Sequence, residues 1–162
     1  MKRFMTAALA AVSFALPVSA EIQPGTQNLL KTVSQHLTIV YNQGTCDIPG
    51  VSGSYKSTNK TLTLCPGLEV TADDHDTVRH EVWHAIQHCL MKDKNAGLAA
   101  VITKDTPEWW KYVGSNLTVA QAQWIQESYP KSHWDVEYEA FVMANNLSSS
   151  EIEGLFLKAC VH

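Results

Sequence analysis

Residues 79–88 read RHEVWHAIQH. His80 and His84 lie four apart, so on a helix they stand one above the other, and both imidazoles can reach one ion at about 2.0–2.1 Å. Glu81 follows the first histidine and need not bind that ion; it can reach a water in the open coordination position and take its proton. Zinc at such a place lowers the pKa of the water toward about 7 and polarises a carbonyl. The chemistry on offer is metal-assisted hydrolysis of a peptide or amide bond, with Zn2+ as cofactor and Glu81 as general base. The alternative is a helix that carries its histidines by accident, and the surrounding sequence has to decide.

The spacing predicts a helix over about 72–91, opened by Thr71 and the acids Asp73, Asp74 and Asp76. At about 100° per residue, Val78, Val82, Ala85, Ile86 and Cys89 gather on one side. His80, Glu81 and His84 fall roughly opposite. A histidine held only by core packing belongs inside the apolar stripe, and these two lie outside it. The helix can therefore press its apolar side into a core while presenting both imidazoles to a cleft.

A catalytic zinc takes a third protein ligand. The metzincin extension requires glycine three residues and histidine six residues after His84; Gln87 and Leu90 stand there, which excludes that family. His88 sits one turn too far along to share the ion and is expected to line the cleft. In WDVEYEAFVMA, Glu137 and Glu139 lie on a helix whose apolar face is Val136, Ala140, Met143 and Leu147. Glu139 borders one edge of that face and Glu137 lies further off the other. An acid at the edge of a buried face needs a partner, and a metal is one. The helical wheel favours Glu139 slightly.

His-Glu-x-x-His followed about 55 residues later by a helix with Glu-x-Glu-Ala-x resembles the gluzincin zinc metallopeptidases, in particular their small forms. The resemblance covers residues 50–147. It implies that His80 and His84 are histidine ligands, that Glu81 is the general base, and that Glu139-Ala140 occupies the third-ligand place. It also implies an edge strand, within 51–64, that pairs with an extended peptide along the cleft. The substrate is then a peptide or protein. Tyr138, His133 and Tyr112 are candidates for the group that steadies the transition state.

These residues need a scaffold. Leu29, Leu30, Val33 and Leu37 have helical spacing, and a β-branched tail follows. Two short strand-like runs, VSGSY and TLTLC, flank a polar turn containing Asn59. Residues 93–115, with Trp109 and Trp110, read as a long connection in which the tryptophans either wall the substrate or pack on the motif helix. Asn116 or Thr118 caps a helix that stops at Pro130, WDVEYEAFVMANN forms another, and Ser148 with Glu151 has capping-box spacing for a last one. The order predicts an α+β fold: a small antiparallel sheet or hairpin packed on a mainly helical domain that contains the motif helix.

The chain's 162 residues suit one domain with a real core. MKRFMTAALAAVSFALPVSA has the positive start, the short apolar run and the small-residue end of a signal peptide, so residues 1–20 are expected to be removed and 21–162 to fold. The apolar run is short for a membrane span, and no membrane anchor is expected after cleavage. Without Lys2 and Arg3 the chain keeps 10 basic residues against 16 acidic, a net charge of −6. That balance argues against nucleic acid or an anionic membrane as the partner. Four cysteines after an export signal predict two disulfides, with Cys46–Cys65 and Cys89–Cys160 favoured among three connectivities. The reading is a secreted or periplasmic zinc peptidase; the alternatives are a zinc-binding domain without turnover and a disulfide-stapled interaction module.

Overall fold

The computed structural model describes residues 24–48, 50–65, 72–91, 98–102 and 106–161, with the backbone alone for 72–75. The segment 1–20 and the helix-opening Thr71 lie outside the described residues. Helix α1 spans Pro24–Val33. Strand β1 spans Thr38–Tyr41, β2 Gly53–Lys56 and β3 Thr61–Leu64. Helices α2 (Ala72–Leu90), α3 (Pro107–Asn116), α4 (Val119–Ser128), α5 (Trp134–Asn146) and α6 (Ser149–Cys160) follow. The architecture is α+β, as expected.

The sheet is mixed rather than purely antiparallel. β3 lies in the centre, antiparallel to β2 and parallel to β1, in the order β1-β3-β2. The expected hairpin is β2–β3, and its turn closes with Lys60 in the left-handed region. The third strand is TIVY, the β-branched tail after α1; four residues are too few to show a period, so it reads from sequence as the end of a helix. Leu62 and Leu64 alternate with half-buried threonines and join the core. β2 is the edge strand on the side of α2.

α2 is the central element, packed against α6 and α5 and against the sheet. Leu29 and Val33 of α1, Val82 and Ile86 of α2, and Ile152 and Phe156 of α6 are at most 2% exposed and form the heart of the core. Each such side chain stabilises by about 1.5–3 kcal/mol relative to exposure. The apolar stripe read from the sequence is the side that meets α1 and α6. Every residue from His80 to His88 is buried, however, so the polar side of α2 is covered as well.

Both favoured disulfides are present. Cys46–Cys65 joins the short 3-10 turn Gly44–Asp47 to the end of β3, and Cys89–Cys160 ties the end of α2 to the end of α6. The second closes a long loop and, on chain-entropy grounds, stabilises by about 4 kcal/mol. Two disulfides fit an oxidising environment. No helix among the described residues is long and apolar enough to cross a membrane.

Part of the expected long connection is a helix. Pro107 stands in the first turn of α3, Thr106 caps it by accepting from the Trp109 backbone N–H, and Trp109 enters the core. Trp110 is half exposed with its ring against Tyr138. Neither tryptophan lines the cleft described below, so packing is their role. Thr118, not Asn116, caps α4 through a capping box, and Ser148 with Glu151 does the same for α6.

Candidate metal centre

His80 and His84 rise from successive turns of α2, and Glu137 comes from the first turn of α5, which packs across them. The Arg79 Nε donates to the Ala144 carbonyl at 2.8 Å, which helps to hold α2 and α5 together. His80 Nε2 and His84 Nε2 are 3.0 Å apart. Glu137 Oε2 lies 3.3 Å from the first and 3.5 Å from the second. A tetrahedral ion with bonds of about 2.0–2.1 Å keeps its ligand atoms roughly 3.3–3.4 Å apart. The three observed separations bracket that figure.

The charges point the same way. Burial opposes ionisation of Glu137, but His80 and His84 outweigh it and lower its carboxyl from 4.5 to about 2. Burial likewise disfavours a charged His84, yet Glu137, helped by Glu81 and Gln87, raises it from 6.5 to about 9. The group thus calls for positive charge at its centre, and in the metal-free chain a proton on His84 supplies it. Glu137 Oε2 makes no hydrogen bond of ordinary geometry among the described residues, and neither does His80 Nδ1. Two imidazole nitrogens and a carboxylate oxygen that converge on one point, the oxygen without a hydrogen-bond partner among the described residues, suit a divalent cation. His80, His84 and Glu137 form a group able to bind a metal ion.

Glu139 is not part of that group, although the sequence favours it. It is fully buried on another side of α5, and donors surround its carboxylate. Oε1 accepts from Trp83 Nε1 at 2.9 Å, Gln87 Nε2 at 3.1 Å and the Val101 N–H at 3.1 Å; Oε2 accepts from the Ile102 N–H at 2.7 Å. The partner that a buried acid requires is here a set of N–H groups instead of an ion.

Glu81 lies at the edge of the metal group. Burial raises its carboxyl above the ordinary range, against the lowering effect of His80 and His84. The Tyr55 backbone N–H, on the outer edge of β2, reaches it, while Oε2 is without a partner among the described residues. Gly53 makes this approach possible: a Cβ there would stand 2.8 Å from Thr77 Cγ2 and 3.0 Å from Glu81 Cγ. Strand and carboxylate can touch only because the side chain is absent.

His80, Glu81 and Gly53 open onto a cleft of about 540 Å³. One wall is Gly50–Gly53; the other holds Trp124 and Tyr129, with Phe141, Ala144 and Asn145 of α5. Phe141 packs on His80 at 4.4 Å between ring centres, and Trp124 meets both Phe141 and Tyr129 at 5.7 Å. Among the described residues no lysine or arginine lines the cleft. His88 is not among the lining residues either; it lies buried beneath β2 with its Nδ1 3.1 Å from the Tyr55 hydroxyl.

Three aromatic and imidazole side chains were candidates for a transition-state donor, and all three are elsewhere. Tyr138 accepts from Gln126 Nε2 at 2.7 Å, Tyr112 is exposed with its ring near Trp109, and His133 is exposed in the 3-10 turn Lys131–His133. The hydroxyl at the site belongs to Tyr129, which hydrogen-bonds Glu137. Burial, then the charges of Glu137 and Glu81, push its pKa upward, so it stays a donor. Its position just before Pro130, in the turn that delivers α5, is the only sequence signal it carries.

Protein-family models, curated proteins and solved structures offer no match to this chain. The metal group therefore stands on its own residues.

Proposed function

We propose that this chain is an exported zinc metallopeptidase of gluzincin type that hydrolyses peptide or amide bonds. The observation that carries the reading is the convergence of His80 Nε2, His84 Nε2 and Glu137 Oε2 at the spacing of a tetrahedral site, with Glu81 beside them at the cleft. The motif pair resembles that family, with Glu137 and not Glu139 in the third-ligand place. The apolar leader of residues 1–20 and the two disulfides support export.

Zinc, when bound, supplies a Lewis acid for the scissile carbonyl and acidifies the attacking water. His80, His84 and Glu137 hold it. Glu81 accepts the proton of the attacking water on its carboxylate and delivers it to the departing amine nitrogen. Burial makes Glu81 a stronger base than an exposed glutamate, which suits that duty. The Tyr129 hydroxyl, kept protonated beside Glu137, turns its single proton from that carboxylate to the oxyanion that forms at the carbonyl. An extended peptide lies along Gly50–Gly53, the segment that leads into the edge strand β2, and a side chain next to the cleaved bond meets Trp124 and Phe141.

The test is a Glu81→Gln variant of residues 21–162, prepared oxidised beside the wild type. Elemental analysis is expected to find one zinc per chain in both, and a peptide library is cut by the wild type alone, with kcat down by at least about 100-fold in the variant. Full activity in the zinc-loaded variant would sink the mechanism. One zinc per chain with no cleavage by the wild type would leave a zinc-binding domain without turnover.

A further inference from the structure

Gln87 is fully buried between the metal group and Glu139, and its amide is committed at every atom. Its Nε2 donates to the Val136 carbonyl at 3.1 Å and to Glu139 Oε1 at 3.1 Å. Both partners only accept, so both amide protons are spent and the amide cannot flip. Gln87 Oε1 is then left facing His84 Nδ1 at 2.8 Å. An oxygen at that distance requires a proton on Nδ1, which leaves the lone pair of Nε2 directed at His80 and Glu137.

We propose that Glu139 and Gln87 are positioning residues that set the tautomer and ring angle of His84 for metal binding. Glu139 dictates which way the Gln87 amide points, and Gln87 dictates which nitrogen of His84 carries the proton. The same carboxylate accepts from the Val101 and Ile102 backbone, so the 98–102 segment is fastened to the metal group through one buried acid. His80 has no counterpart: its Nδ1 is without a hydrogen-bond partner among the described residues, and its ring is held by packing on Phe141. The two histidine ligands are thus positioned by different means, one by hydrogen bonds and one by an aromatic wall. Orienting partners of this kind are worth about 10–100-fold in metal affinity.

The inference rests on the metal reading, and the experiment separates the two. Zinc affinity is measured by chelator competition for wild type, Gln87→Met and Glu139→Gln, each with its metal-free melting curve. The His84 Nδ1 proton is followed by NMR in the zinc-loaded proteins. The wild type is expected to show a downfield, slowly exchanging Nδ1 proton. Gln87→Met keeps the volume and removes every hydrogen bond; it is expected to lose that signal and about 10–100-fold in zinc affinity. Glu139→Gln keeps the shape and frees the Gln87 amide to turn; a smaller loss with a weakened signal is expected, and it decides the matter if Gln87→Met does not fold. A purely structural role would lower the melting midpoints and leave both affinity and proton signal unchanged, which would overturn the proposal alone. A wild type that takes up no zinc would overturn the metal reading and this one together.

Discussion

Glu137 and Glu139 stand two residues apart on one helix, carry the same carboxylate and are both buried, yet their surroundings are opposite. Positions i and i+2 on a helix point about 200° apart, so the two acids face different neighbours across α5. Glu139 faces four N–H donors, and its charge is met by ordinary hydrogen bonds. Glu137 faces two imidazole nitrogens and a tyrosine hydroxyl, and Oε2 is short of a proper donor. The difference teaches how to tell a structural buried acid from a ligand: the first arrives with all its donors, and the second arrives with other acceptors.

The sharpest way to break this comparison is to truncate each acid in turn. Glu139→Ala strands two buried donors, Trp83 Nε1 and one proton of Gln87 Nε2, each costing about 1–3 kcal/mol, and releases the part-buried Val101 and Ile102 N–H groups. The metal-free melting midpoint is expected to fall by roughly ten degrees or more. Glu137→Ala removes an acid to which no backbone group among the described residues is seen to donate. Its metal-free midpoint is expected to fall far less, while zinc content by elemental analysis drops to near zero. The reverse pattern, zinc lost with Glu139 at unchanged stability and kept with Glu137 absent, would invert the assignment.

The sequence favours the acid that lies outside the candidate metal group, for a physical reason. A helical wheel finds carboxylates at the edge of an apolar face, and α5 is buried on both sides, so it has two such edges. The side that faces the cleft carries Glu137, Phe141, Ala144 and Asn145, a mixture that reads like half-exposed surface. Only the presence of α2 across from it turns that mixture into a site. By contrast, His80, Glu81 and His84 are readable at once, because their relation is contained within one turn of one helix. The caps of α4 and α6 and the disulfides are readable for similar reasons of local chemistry or oxidation state. β1 is not, since a four-residue parallel strand is defined by its distant neighbour β3. Tyr129 is hidden for the same reason: a turn residue shows no period.

Proton linkage sharpens the contrast with a smaller effect. His84 titrates at about 9 and Glu137 at about 2, so zinc must displace a proton from His84 at neutral pH and none from Glu137. Apparent zinc affinity is expected to rise about tenfold per pH unit from neutrality up to about 9 and to level off above it. In the metal-free chain the signs are opposite for the two groups. The raised His84 stabilises below 6.5 and loses its contribution as pH climbs toward 9; the lowered Glu137 stabilises above 4.5 and loses its contribution as pH falls toward 2. Stability of the metal-free protein from this pair is therefore greatest between about 4.5 and 6.5. A curve that is flat from neutrality to 9 would show that His84 is not the proton the metal displaces.

The smallest effect concerns the cleft rather than the ions. Trp124 is 43% exposed and contributes one face of the aromatic wall that runs through Phe141 to His80. Because so much of the indole already meets water, Trp124→Ala removes little core, and a melting shift of only about 2–4 °C is expected. What it does remove is apolar surface beside the metal group. For peptides with a large apolar side chain next to the cleaved bond, KM is expected to rise on the order of tenfold. Peptides with a small side chain there should be cut as before, since they never reach the indole. Zinc content should not change, because Trp124 touches the ligand His80 only through Phe141. Equal losses for both peptides would mean that the indole shapes the whole cleft instead of one side-chain pocket.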